Sequence, residues 1–227
     1  MNYNEVGIQA LQQEEHERAI EAFMKAIETN PDDPVGYINI GNVFAAVGDV
    51  ERAEQFFQQA IVLDDEAATA VYGLANLYFN AERFEEAAKL YERSIQLGIE
   101  GADAPFMLAK TFEREGADKL ALPYMQRAAE LAPNDVEIQL AYGILLAKFE
   151  LFDEAKDVLA HVLTLDEENA DAHYNYGLIF AVSTEDVERA MHHLERAFTI
   201  APEHTQARYI YDMIQIGLNE EGGPTVH

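Results

Sequence analysis

The sequence has no cysteine and no tryptophan. Without a thiol there is no disulfide, no thiolate metal site and no cysteine nucleophile. Positive charge is scarce as well: 15 Lys and Arg stand against 42 Asp and Glu, a formal net charge of −27. Phosphate backbones are gripped by a concentrated positive field, so nucleic acid is not the expected ligand, and the same sign argues against anionic membrane surfaces. No apolar run approaches the roughly 20 residues a membrane span needs. The start, Met1-Asn2-Tyr3-Asn4-Glu5, lacks a basic segment leading into an apolar one. These absences lead to the expectation of a cytoplasmic protein.

The marks of catalysis are missing in the same way. There is no Gly-rich phosphate loop after a strand, no nucleophile elbow and no strand-like alternation. None of the seven histidines pairs with another at i, i+4, and the adjacent His192 and His193 would point about 100° apart on a helix. The expectation is no enzyme, no metal and no cofactor. Proline is limited to 7 residues and 49% of the chain is hydrophobic, so a packed structure is required.

What is present is a register. Gly7 and Gly41 lie 34 residues apart, as do Gly143 and Gly177, and Ala75 and Ala109 fill the two intermediate steps. Ala19, Ala53, Ala87, Ala121 and Ala155 repeat the same spacing; Ala190 follows one residue late, which places an insertion near Ser183-Thr184. Four residues after each of these alanines comes a large side chain: Phe23, Phe57, Tyr91, Met125, Leu159, Leu194. Pro31, Pro133 and Pro202 close three of the units. A period of 34 with small residues in register is that of a helix–turn–helix repeat. The small residue of the first helix and the alanine of the second let the two approach, the large side chain fills the gap beside them, and proline ends the second helix. One pair cannot bury its apolar face alone, so neighbouring pairs must stack.

This pattern resembles the tetratricopeptide repeat family over residues 1 to about 218. The segment Leu120-Ala121-Leu122-Pro123-Tyr124-Met125-Gln126-Arg127-Ala128 is similar to the small stand-alone members found in Gram-positive bacteria. The family's tryptophan is replaced by Tyr3, Tyr37, Val71, Pro105, Gln139 and His173. The resemblance implies an all-α, right-handed α-solenoid of six repeats, near 1–33, 34–67, 68–101, 102–135, 136–169 and 170–204. A capping helix follows over 203–218, with Ala207, Ile210, Tyr211, Ile214 and Leu218 at helical spacing. Residues 1–218 are expected to form one solenoid domain and 219–227, which carry two glycines and a proline, a mobile tail.

In this family the first helix of each unit lines a concave groove. Carried over by register, the groove is implied to include Asn42, Tyr72, Asn76, Phe79, Asn80, Phe106, Lys110 and Arg114, then Tyr174 and Leu178. Asn42, Asn76 and Lys110 occupy one slot in three successive repeats. An Asn side chain carries both donor and acceptor, so a row of them suits the backbone of an extended peptide. Tyr72, Phe79 and Phe106 offer apolar contact, and Lys110 with Arg114 could hold a carboxylate. The carboxylate clamp of the family's chaperone adaptors is not reproduced: its slots here read Ile38 and Asn42, Gly73, then Asp103 and Met107.

The acid has a plainer use in the turns. Asp32-Asp33 before Pro34, Asp64-Asp65-Glu66, Asn134-Asp135, Asp166-Glu167-Glu168 and Glu185-Asp186 sit where helix starts need caps. The remaining acid favours a partner with basic residues. The expected function is thus a protein–protein interaction adaptor or scaffold that binds an extended peptide of a protein partner. The alternatives are a co-chaperone or assembly factor, and a scaffold that self-associates through an apolar C-terminal face.

Overall fold

A computed structural model describes residues 2–184 and 186–221, with side chains through residue 218. Among them run thirteen helices and no strand: α1 Tyr3–Gln12, α2 His16–Thr29, α3 Pro34–Ala46, α4 Val50–Leu63, α5 Ala68–Asn80, α6 Phe84–Gln96, α7 Asp103–Arg114, α8 Asp118–Leu131, α9 Val136–Lys148, α10 Phe152–Leu165, α11 Ala170–Ser183, α12 Val187–Ile200 and α13 Thr205–Glu221. The chain forms two compact units, Met1–Ala128 and Ala129–His227. The expected cap is α13, which extends to Glu221; the rest of the expected tail, residues 222–227, lies outside the described residues.

The register explains the packing. In the first unit Phe23, Phe57, Tyr91 and Met125 are all fully buried, together with Ala19, Ala53, Ala87 and Ala121. A Cβ on Gly41 would stand 3.0 Å from the Phe57 ring, and one on Gly73 only 2.5 Å from it. The ring of one repeat is therefore wedged between the first helices of its own and the next. In the second unit Leu159 and Leu194 take the same place against Gly143 and Gly177, with Ala155 and Ala190 fully buried beside them. The replaced tryptophan slots are satisfied individually. Val71 and Pro105 are buried, and the buried Gln139 donates from Nε2 to the Ala129 and Ala132 carbonyls at 2.8 and 3.2 Å. Pro105 falls in the first turn of α7, where its missing N–H costs nothing.

Caps account for part of the acid. Asp33, Asp135 and Asp186 accept backbone N–H bonds at the starts of α3, α9 and α12, while Asp64 and Asp166 brace the turns before α5 and α11. A second device recurs with the repeat. Glu14, Gly48, Glu82, Gly116 and Glu150 end the first helices with positive φ between 58° and 78°. The next amide reaches back five residues, as Leu151 N–H does to the Leu146 carbonyl at 3.0 Å. Three of these five are glutamates in a region that side chains adopt at a cost of about 1–2 kcal/mol. Glu150→Gly is therefore expected to raise unfolding stability by about 1 kcal/mol, part of the strain relief being offset by the greater freedom of glycine when unfolded. Urea titration checks this; a loss of stability would mean that Glu150 makes a compensating contact.

Candidate peptide-binding site

In the first unit α3, α5 and α7 lie side by side, α5 touching both neighbours. Each is the first helix of its repeat, so equivalent positions form rows across them. Asn42 on α3 is exposed, and no hydrogen bond of its side chain is present among the described residues. Its counterpart Asn76 on α5 is half-buried, and its Oδ1 accepts from the Tyr91 hydroxyl at 2.6 Å. Burial pushes the Tyr72 hydroxyl above the usual phenol range, with nearby Asn76 opposing, and burial likewise raises Tyr91. Both phenols thus stay protonated and usable as donors. An Asn side chain has two N–H donors and two acceptor lone pairs. Asn76 is left with both donors and one acceptor site, on an amide whose orientation the Tyr91 bond restrains.

The aromatic residues divide. Phe106 is buried, Tyr72 is half-buried with its ring 5.8 Å from that of Tyr91, and Phe79 is half-buried. Phe79 meets Phe84 edge-on at 5.5 Å, and the Arg114 guanidinium lies 5.0 Å from the same Phe84 ring. Asn80, at the end of α5, is exposed. The two cations each face a carboxylate loosely: Lys110 Nζ is 3.9 Å from Glu113, and Arg114 is 3.8 Å from Glu82. The Arg114–Glu82 pair is exposed and worth little, so a partner's carboxylate could exchange with it, whereas Glu113 is part-buried.

Two members of this arrangement, Tyr91 and Phe84, lie outside the groove positions that the register implies. Tyr91 carried a signal: it is the one hydroxyl in the series of buried large residues, and a buried phenol requires a partner. Phe84 opens a second helix, and nothing in the spacing singles it out.

In the second unit Tyr174 and Leu178 lie half-buried on α11, the Tyr174 ring 4.6 Å from that of His204. Between α11 and α12, His173 Nδ1 stands 2.8 Å from His193 Nδ1. Among the described residues no group of three or more His, Cys, Asp or Glu could hold a metal ion, and no helix is long and apolar enough to cross a membrane.

A family model described as the cilia and flagella-associated protein 70 C-terminal domain matches residues 3–178, and a tetratricopeptide repeat model matches residues 170–204. No curated protein matches the chain. Among solved structures the chain is similar to YrrB, described as a tetratricopeptide protein with an unusual peptide-binding site, at 40% identity. That match covers 85% of this chain and 99% of YrrB with a TM-score of 0.79. It is also similar in fold to pilF of Pseudomonas aeruginosa, at 19% identity over 95% of this chain and 96% of that one, TM-score 0.78. A MamA protein matches at 22% identity over 74% and 92%, TM-score 0.61. By its registered helix pairs and by these matches, the chain belongs to the tetratricopeptide repeat family.

Proposed function

We propose that the protein is an adaptor whose first unit binds an extended peptide segment across α3, α5 and α7. The observation that carries this is the Asn76 amide, held by Tyr91 with both N–H donors and one acceptor site to spare, in the slot that exposed Asn42 occupies one repeat earlier. A pre-oriented amide loses little freedom on binding, so more of its hydrogen-bond energy reaches the affinity. Asn42 and Asn76 pair with the peptide backbone, Phe79 supplies apolar contact, and Lys110 and Arg114 take a carboxylate of the partner. A few net hydrogen bonds of about 1 kcal/mol each with modest apolar burial correspond to a roughly micromolar complex. The likeness to YrrB supports the reading, since that protein is described by its peptide-binding site. In this reading the protein acts in the cytoplasm by binding, with no catalysis and no cofactor.

The test is capture of a partner from cell lysate by the intact chain and by an Asn42→Ala/Asn76→Ala/Lys110→Ala variant. The variant is built on Tyr91→Phe, so that no buried hydroxyl is stranded. Tyr91→Phe alone, which frees the Asn76 amide but leaves it in place, is expected to weaken the partner by only a few-fold, and the full variant by at least about tenfold. Equal capture by both would remove the site from these helices.

A further inference from the structure

In the second unit the register position held by Asn42, Asn76 and Lys110 in the first is taken by Ile144, Leu178 and Met213, on α9, α11 and α13. Its neighbours there are also apolar. Tyr209, Met213 and Ile216 on α13 are 65%, 51% and 51% exposed, and Val182 on α11 is 60% exposed. Between α11 and α13 lies an open hollow lined by Tyr174, Tyr209 and Ile210 together with Thr205 and Gln206. α13 rests on α12 through Ala207, Ile210 and Ile214 and leaves Tyr209, Met213 and Ile216 largely exposed.

This strip cannot serve a peptide as the first unit does. An extended segment brings unpaired backbone N–H and C=O groups, and the row of Ile144, Leu178 and Met213 offers no amide to receive them; the amide of Gln206 stands only at the start of α13. Leaving them dry and unpaired opposes binding. A helix satisfies its backbone internally and presents only side chains, so it is the form of chain that an apolar row accepts. Exposed Met213 adds an unbranched, adaptable contact suited to such faces. Charge then selects among helices. The exposed carboxylates Glu137 and Asp171 hold equivalent positions at the starts of α9 and α11, and Asp171 lies 3.6 Å from His204, whose ring abuts Tyr174. A second copy of the chain would bring its own acid to this rim, with −27 on each molecule; a helix flanked by Lys or Arg would neutralise it.

We infer that the second unit is a docking face for an amphipathic helix with basic flanks, supplied by a protein partner. This rests on reading the chain as a protein-binding module, but on different residues from those of the first unit.

The probe is a labelled basic amphipathic peptide of about 20 residues, long enough to cross three helices spaced about 10 Å apart. Controls are a scrambled peptide of the same composition and one with every Lys changed to Glu. Fluorescence anisotropy is expected to give a roughly micromolar dissociation constant for the probe, at least about tenfold weaker for either control. Tyr209→Gln/Met213→Gln changes two side chains that are more than half exposed, and should weaken the probe at least about tenfold. The Asn42→Ala/Lys110→Ala variant of the first unit should bind it unchanged. Equal binding of the scrambled peptide, or no effect of Tyr209→Gln/Met213→Gln, would overturn the inference. So would loss of the probe in the first-unit variant, or a doubled mass in light scattering that Tyr209→Gln/Met213→Gln abolishes, which would assign the face to a second copy. The capture experiment on the first unit can fail or succeed independently of all these outcomes.

Discussion

Phe57→Ala is expected to cost about 3–5 kcal/mol of unfolding free energy. The ring is fully buried on α4 and packs against two glycine positions, Gly41 of its own repeat and Gly73 of the next. Truncation would therefore open a void at a junction of three helices, α3, α4 and α5. A solenoid is held by contacts between neighbouring pairs, so loss of one wedge weakens both the pair and its coupling to the next. Phe57→Tyr should cost less than about 1 kcal/mol, for a reason visible one repeat away. There the equivalent residue is Tyr91, whose hydroxyl bonds Asn76, and the residue equivalent to Asn76 beside Phe57 is Asn42. Denaturant unfolding followed by circular dichroism at 222 nm checks both. Hydrogen exchange should show the loss of protection from Phe57→Ala concentrated in α3 to α5. A cost below about 1 kcal/mol for Phe57→Ala would mean that neighbouring side chains collapse into the space and that the ring is not a wedge.

How far the sequence disclosed this molecule follows from what a repeat can encode. The 34-residue spacing of Gly41, Ala53 and Phe57 and their equivalents is a statement about one helix pair made six times, so the helices, their order and the buried series were legible without coordinates. The capping acids were legible as well, because Asp33 before Pro34 and Asp186 before Val187 act within their own turn. The positive φ of Glu14, Glu82 and Glu150 was hidden, since glutamate is not the residue such a turn favours; only Gly48 and Gly116 in the same register pointed to it. The site was legible as rows but not as bonds. Register places Asn76 beside Asn42, yet its bond to Tyr91 joins residues 15 apart on two helices, and the Phe79–Phe84–Arg114 stack joins three. The histidines show the same limit. A search at i, i+4 passes over His173 and His193, which are 20 residues apart and meet only because α11 and α12 pack together.

That histidine pair should make the second unit acid-sensitive, lowering its unfolding stability by on the order of 2–3 kcal/mol between about pH 7 and pH 4. The bonds fix the protons. The Glu167 carbonyl can only accept, so His173 Nε2, 3.1 Å away, carries a hydrogen. In neutral His173 the other nitrogen, Nδ1, is then an acceptor, and it receives the Nδ1–H of His193 at 2.8 Å. Protonating both rings would set two N–H groups against each other. Burial, with the nearby charges of His173, His192 and Arg189, pushes His193 down to about 4; burial also lowers His173, with Arg196 and His192 acting in the same direction and the Glu167 carbonyl opposing. The sign follows from comparing the two states. An unfolded histidine titrates near 6.5, so between about 6.5 and 4 the unfolded chain binds protons that the folded pair refuses. The stabilisation is complete above about 6.5 and is lost as the pH falls toward 4. The general acid of the chain works the other way, since lowering −27 toward zero relieves self-repulsion. The comparison must therefore be made against His173→Gln/His193→Phe. Gln139 fills the slot of His173 one repeat earlier and bonds the Ala129 and Ala132 carbonyls, while a phenylalanine suits the site between Tyr176 and Phe180. Thermal unfolding from pH 7 to 4 should show the native chain losing stability relative to this variant, and NMR titration should place the His193 midpoint well below 6.5. Parallel curves for the two proteins would mean that the imidazoles open to solvent before they titrate, leaving α11 and α12 held by their buried apolar side chains, Ile179, Phe180, Ala190 and Leu194 among them.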